Sequence, residues 1–166
     1  MRQLRTALGH TRYYQRFIKG YAQITAPMEK LLNKYIKFTW DEECQQSLDL
    51  LKEKMVTRPI LVFLDKEKQF HVHVDASSIA LGKVLAQERE GDIDYPNSFS
   101  SHKFSSPENN YTTTEIEGLS MVYALQKHRV YLLGAHFKMY TDHSTLKYLF
   151  KKPVLGGRIF RWLLLF

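Results

Sequence analysis

A single cysteine, Cys44, is all the 166-residue chain contains. That excludes an internal disulfide partner and fits a reducing, intracellular compartment. There is no run of eighteen apolar residues and no charged-then-apolar stretch at the N-terminus, so a soluble protein without a membrane partner is expected. Internal repeats and low-complexity tracts are lacking as well, which argues against a solenoid or a disordered tail. Acids are missing from one segment: His143 to Phe166 carries five Lys/Arg and no Asp or Glu.

What is present suits a folded domain with a real core, at 44% hydrophobic and 13% aromatic residues. The net charge of +7 points to an acidic partner, and its distribution sharpens the point. Met1 to Val56 holds ten Lys/Arg against six Asp/Glu, and Thr57 to Asp142 nine against eleven. An acidic middle between basic ends suits a site that uses divalent metal on a polyphosphate partner, although solvated helix faces give the same totals.

Residues 2–21 read as one basic amphipathic helix, with Leu4, Leu8, Tyr14, Phe17, Ile18 and Tyr21 on its apolar stripe and Gly20 as its stop. A short second helix follows, with Thr25 as cap and Pro27 in its first turn. The third opens on a Thr39/Glu42 capping box, repeats Cys44, Leu48, Leu51 and Met55, and closes before Pro59. Beyond it the period changes to strands: 60–64, 69–75, 79–87 and roughly 94–101, with a turn at 88–92. The expected organisation is a small helical module over 1–56, a linker and boundary strand over 57–69, and an α/β region from 70 to 166 in the order strand, strand, strand, helix, strand, helix.

Within that region, residues 111–149 carry the chemistry. Thr112 to Thr114 supply an N-cap for a helix that runs to a Gly134 stop, and His136 to Asp142 alternates like a strand ending on Asp142. Glu117 falls in the first turn of the helix. Two readings of it are open: the glutamate of a Thr114-Glu115-Ile116-Glu117 capping box, or a functional acid. Asp142 likewise reads as the N-cap of a following helix or as a site residue. A third carboxylate, Asp75, ends the strand His71-Val72-His73-Val74-Asp75. If the strands of Asp75 and Asp142 are parallel neighbours, their ends bring both aspartates together, and a helix on the sheet delivers Glu117 to the same point. Three carboxylates about 4 Å apart repel by roughly 4 kcal/mol per pair at an effective dielectric of about 20. Two divalent cations relieve that repulsion and activate water for attack on a phosphodiester, and oxygen-only ligands favour Mg²⁺ or Mn²⁺.

The motifs Leu8 to Leu32, Phe38 to Met55, His73 to Ser77, Asn110 to Leu125, Tyr131 to Leu149 and Arg161 to Phe166 together resemble the thumb-to-RNase H segment of gypsy-type LTR retrotransposon polyproteins, most of all copies found in plants. The resemblance spans nearly the whole chain in family order. It implies an α/β RNase H-like mixed sheet of strand order 3-2-1-4 with packed helices, preceded by an all-helical reverse-transcriptase thumb or connection module. It places metal-binding and catalytic roles on Asp75, Glu117 and Asp142, with two Mg²⁺ or Mn²⁺ ions as cofactor. The family's fourth acid falls beyond residue 166, so the RNase H domain is expected to be incomplete at its C-terminus, ending in the apolar run Trp162 to Phe166. Partners implied are an RNA–DNA hybrid and the rest of the polyprotein, in a cytoplasmic virus-like particle or the nucleus. Polymerase aspartates are absent. Lys83, where the family usually has a small residue, and Ser101-His102-Lys103-Phe104 at a strand end suit a decaying genomic copy.

Other residues carry two readings each. Arg12, Arg16 and Tyr14 are candidate nucleic-acid contacts or packing residues, as are Lys147, Lys151 and Lys152. His143 is a helix start or a group that positions water or releases product. His71 and His73 read as exposed or half-buried strand histidines rather than metal ligands, since no third N or S ligand is nearby in sequence. The function expected is hydrolysis of the RNA strand of a hybrid; the alternatives are a catalytically defective nucleic-acid-binding or structural fragment, and a relic that folds poorly.

Overall fold

The computed structural model describes residues 1–57, 63–89 and 93–142. Its helices are α1 (Arg2–Tyr13), α2 (Tyr21–Lys30), α3 (Glu42–Val56) and α4 (Thr113–Leu132), and its strands β1 (Phe70–Ala76), β2 (Ala80–Glu88), β3 (Asp94–Lys103) and β4 (Phe137–Tyr140).

The apolar stripe expected to form one helix over 2–21 is split. α1 ends at Tyr13, a 3₁₀ turn spans Gln15–Phe17, Ile18 is extended, and Gly20 at φ +70° starts α2. Glycine reaches that left-handed conformation without penalty, and a Cβ there would meet the Gln23 side chain at 2.9 Å. The break turns Ile18 and Tyr21 into the same core as Leu4 and Leu8. Helical spacing cannot distinguish this from a straight helix, because both bury the same stripe. Accordingly α2 starts at Tyr21, not at a Thr25 cap. Thr25 is fully buried inside the helix with its hydroxyl donated to the Tyr21 carbonyl, and Pro27 lies well past the first turn.

α3 is capped by Asp41 rather than Thr39: its carboxylate accepts the Cys44 N–H at 2.9 Å. Glu42 and Glu43 then occupy the first turn, where the helix dipole favours them. Cys44 and Leu51 pack with Leu4, Leu8, Ile18, Tyr21, Met28 and Leu31 into one core. Burying Met28 or Leu51 there contributes roughly 1.5–3 kcal/mol each.

A second core lies between α4 and the sheet, where Met121, Ala124 and Leu132 meet Phe70, Val72, Val74 and Leu85. Strand order is β3-β2-β1-β4, with β1–β2 and β2–β3 antiparallel and β1–β4 parallel. The α/β class, the mixed four-stranded sheet and its order are those expected. Of the strand expected at 60–64, Phe63 and Leu64 are not in a strand, and the remainder, like residues 90–92 of the expected turn and everything after Asp142, lies outside the described residues. The first helices join the sheet at β3, where the Ala22 N–H donates to Ser101 Oγ at 2.9 Å, and just past the end of β1, where Gln23 Nε2 donates to Ser77 Oγ at 2.9 Å.

Candidate active site

β1 and β4 run parallel, pairing His71 with Lys138 and His73 with Tyr140. Carried two residues further, that register sets Asp75 opposite Asp142 on the same face. Asp75 lies within β1, whereas Asp142 stands two residues past the end of β4, which closes at Tyr140 instead of running to Asp142. Both are exposed. The crossover explains the third acid. α4 runs back along the sheet, so its N-terminal part stands where β1 and β4 end, and that part carries Glu117.

Glu117 is not the capping glutamate. Thr112 is the N-cap: its hydroxyl accepts the Glu115 N–H at 3.3 Å, while Glu115 Oε2 accepts the Thr112 N–H at 3.0 Å. With Glu115 in the capping box, Glu117 sits in the second turn rather than the first. It is 6% exposed, and its buried Oε2 has no hydrogen-bond partner among the described residues. Burial first, then the charges of Asp142 and Asp75, push its pKa up to about 7. The three carboxylates therefore share one electrostatic field.

Among the described residues no three His, Cys, Asp or Glu side chains are gathered closely enough to hold a metal ion. The donor chemistry nevertheless fits a hard divalent cation: the donors are all oxygen, their charges are alike, and the buried Glu117 oxygen lacks a partner among the described residues.

The other candidates are dispersed. Arg12 lines a cleft between α1 and β3, the Arg16 guanidinium lies 4.7 Å over the Phe17 ring, and Tyr14 meets Tyr13 edge-on and lines a separate cavity with Ile18 and Met55. His143, Lys147, Lys151 and Lys152 lie outside the described residues. His71 is more buried than expected, at 4%, and an unforeseen group engages it: Asp94 meets His71 Nδ1 and His73 Nε2, each at 2.6 Å. Tyr140 stacks on His73 at 4.7 Å. Asp94 is remote in sequence and marked only a strand start, so no periodicity pointed to it.

Lys83 is buried. It is 4% exposed, its Nζ has no hydrogen-bond partner among the described residues, and it lies 2.7 Å from the centroid of the Tyr123 ring. Burial, helped by the charge of Lys127, brings its pKa down to about 6. Buried His128, also unforeseen and with its Nε2 unpartnered among the described residues, has its pKa brought down to about 4 by burial and then by Lys83 and Lys127.

Residues 40–139 match the family described as the RNase H-like domain found in reverse transcriptase. The retrovirus-related Pol polyprotein from transposon 297 of Drosophila melanogaster is 38% identical over 97% of this chain and 15% of its own length. The transposon Tf2-3 polyprotein of Schizosaccharomyces pombe is 33% identical over 87% of this chain and 11% of its own length. The chain thus spans less than a fifth of these relatives. Among solved structures, the foamy viral protease-reverse transcriptase in complex with RNA/DNA hybrid superposes with a TM-score of 0.77 at 22% identity, covering 98% of this chain and 23% of that one. Its complex with dsDNA gives 0.79 at the same identity, with 34% of that chain covered. At such identity the likeness speaks for the fold alone.

Proposed function

The chain belongs to the RNase H-like domain family found in reverse transcriptases, and from that premise we propose that it hydrolyses the RNA strand of an RNA–DNA hybrid as part of a retrotransposon polyprotein. The observation that carries the reading is Glu117, a buried carboxylate in the field of Asp75 and Asp142 with one oxygen unpartnered among the described residues. Asp75, Glu117 and Asp142 would hold Mg²⁺ or Mn²⁺. Two such ions lower the pKa of a bound water and stabilise the leaving oxygen of a phosphodiester.

The chain's own residues do the rest. Burial keeps Glu117 about half protonated near neutral pH, so it gives up a proton as a cation arrives. Its place near the N-terminal end of α4 turns the positive end of the helix dipole toward the developing negative charge. Asp75 and Asp142, both exposed, leave the site open to a backbone approaching from solvent. Recognition through phosphates and the 2′-hydroxyl then needs no base contacts.

The test is cleavage of end-labelled RNA annealed to DNA in Mg²⁺, Mn²⁺ or EDTA, comparing the chain with Asp75→Asn. Metal-dependent cutting by the parent alone, with both proteins folded, is the expected result. No cutting by a folded parent that still binds hybrid selects the second reading, a nucleic-acid-binding fragment that cannot cut. That reading is favoured by one observation, the lack of a closed metal-holding group among the described residues.

A further inference from the structure

A cleft of about 570 Å³ lies away from the acid trio, where the first helices meet the sheet. Arg5 and Arg12 of α1 form one wall, Lys103 of β3 and Lys127 of α4 the other. None of the four forms a salt bridge among the described residues. The one acid on the lining, Glu29, accepts the Thr25 hydroxyl at 3.2 Å. Arg5, Arg12, Lys103 and Lys127 are all exposed, so their charges are reachable from solvent. The wall is tied in place by Ala22 N–H on Ser101 Oγ.

Four exposed cations around one open cleft and a single acid leave a surplus that one carboxylate cannot neutralise. We propose that this cleft binds a phosphate ester carrying several phosphates, gripped by Arg5 and Arg12 from the helical side and by Lys103 and Lys127 from the sheet side. Arginine forks meet phosphate oxygens with paired N–H donors, and lysines add point charges. Because the contacts come from both sides, the ligand bridges the helices and the sheet. Its phosphates come either from a free nucleoside polyphosphate or from a nucleic-acid backbone. The site stands apart from the acid trio and does not depend on how that trio is read.

Titration calorimetry of the whole chain with tripolyphosphate, in EDTA and at low salt, tests the site without involving a metal. One-to-one saturable binding is expected, accompanied by a higher melting temperature. Replacing Arg12→Gln together with Lys103→Gln weakens it by about a hundredfold, the loss of two charge-assisted contacts. Lys52→Gln, on α3 and paired with Asp49, leaves it unchanged. If the double variant melts early, Lys127→Gln on the exposed side of α4 gives the same reading, about tenfold. Displacement of tripolyphosphate by a short single-stranded oligonucleotide assigns the phosphates to a nucleic-acid backbone; failure to displace it, with displacement by a nucleoside triphosphate, assigns them to the free nucleotide. The proposal is overturned by absent tripolyphosphate binding, or by binding that Lys52→Gln weakens as much as the cleft variants do.

Discussion

Two buried ionisable side chains set opposite pH slopes on stability. Glu117 has a folded pKa of about 7 against an ordinary value of 4.5. Its contribution is therefore whole below pH 4.5 and is lost as pH rises through 7, a loss of about 3 kcal/mol by pH 8. Glu117→Gln is expected to melt higher than the parent at pH 8 and nearly level with it at pH 4. Mg²⁺ or Mn²⁺ should raise the parent's melting temperature at pH 8 and leave that of Glu117→Gln unmoved; an equal rise in both would separate the cation from this carboxylate. Lys83 runs the other way. With a folded pKa of about 6 against 10.5, the protein loses stability as pH falls from 10.5 to 6, and the penalty is complete below that. The Tyr123 ring face offsets part of it. Lys83→Leu should therefore stabilise the protein by several kcal/mol at pH 6 and progressively less toward pH 10, as read by denaturant melts. A destabilised variant at pH 6 would mean that the amine is held by contacts that favour its charge.

At the scale of single elements, caps decide where helices start and hence which acid is free. Thr112→Ala removes the Glu115 N–H acceptor and is expected to cost about 1 kcal/mol, and Asp41→Ala removes the Cys44 N–H acceptor at the start of α3 and is also destabilising. The two differ in consequence: fraying of α4 loosens the turn that carries Glu117, so Thr112→Ala should also weaken the metal-induced rise in melting temperature, whereas Asp41→Ala should not. These caps show what could be read from the chain and what could not. Residues such as Val72, Leu85, Cys44 and Leu51 announce their elements through spacing, and the parallel relation of β1 and β4 follows from the helix between them. Cap positions do not, because Thr112, Thr114, Thr39 and Asp41 all offer an oxygen, and one residue of slip costs little locally. The break after Tyr13 is hidden because the apolar stripe continues through it as far as Gly20, which reads as the stop. Asp94 beneath His71 and His73, and His128 beside Lys83, were illegible because only folding brings them together, and no local rule links them.

For the molecule as a whole, two cores joined at a polar seam imply that the helices and the sheet need not unfold together. Ser101→Ala, which leaves the Ala22 N–H without its acceptor at that seam, should lower the coupling more than either core. Two transitions in calorimetry are expected for this variant, or one clearly broadened transition, where the parent gives one. The same seam has a geometric outcome. The helices rest against β3 at one margin of the described sheet, and β4 forms the other. A ribbon that can grow from only one side cannot propagate. Were β4 the one margin left open, two copies meeting β4 to β4 through a two-fold axis would stop at a pair instead of continuing into a fibre.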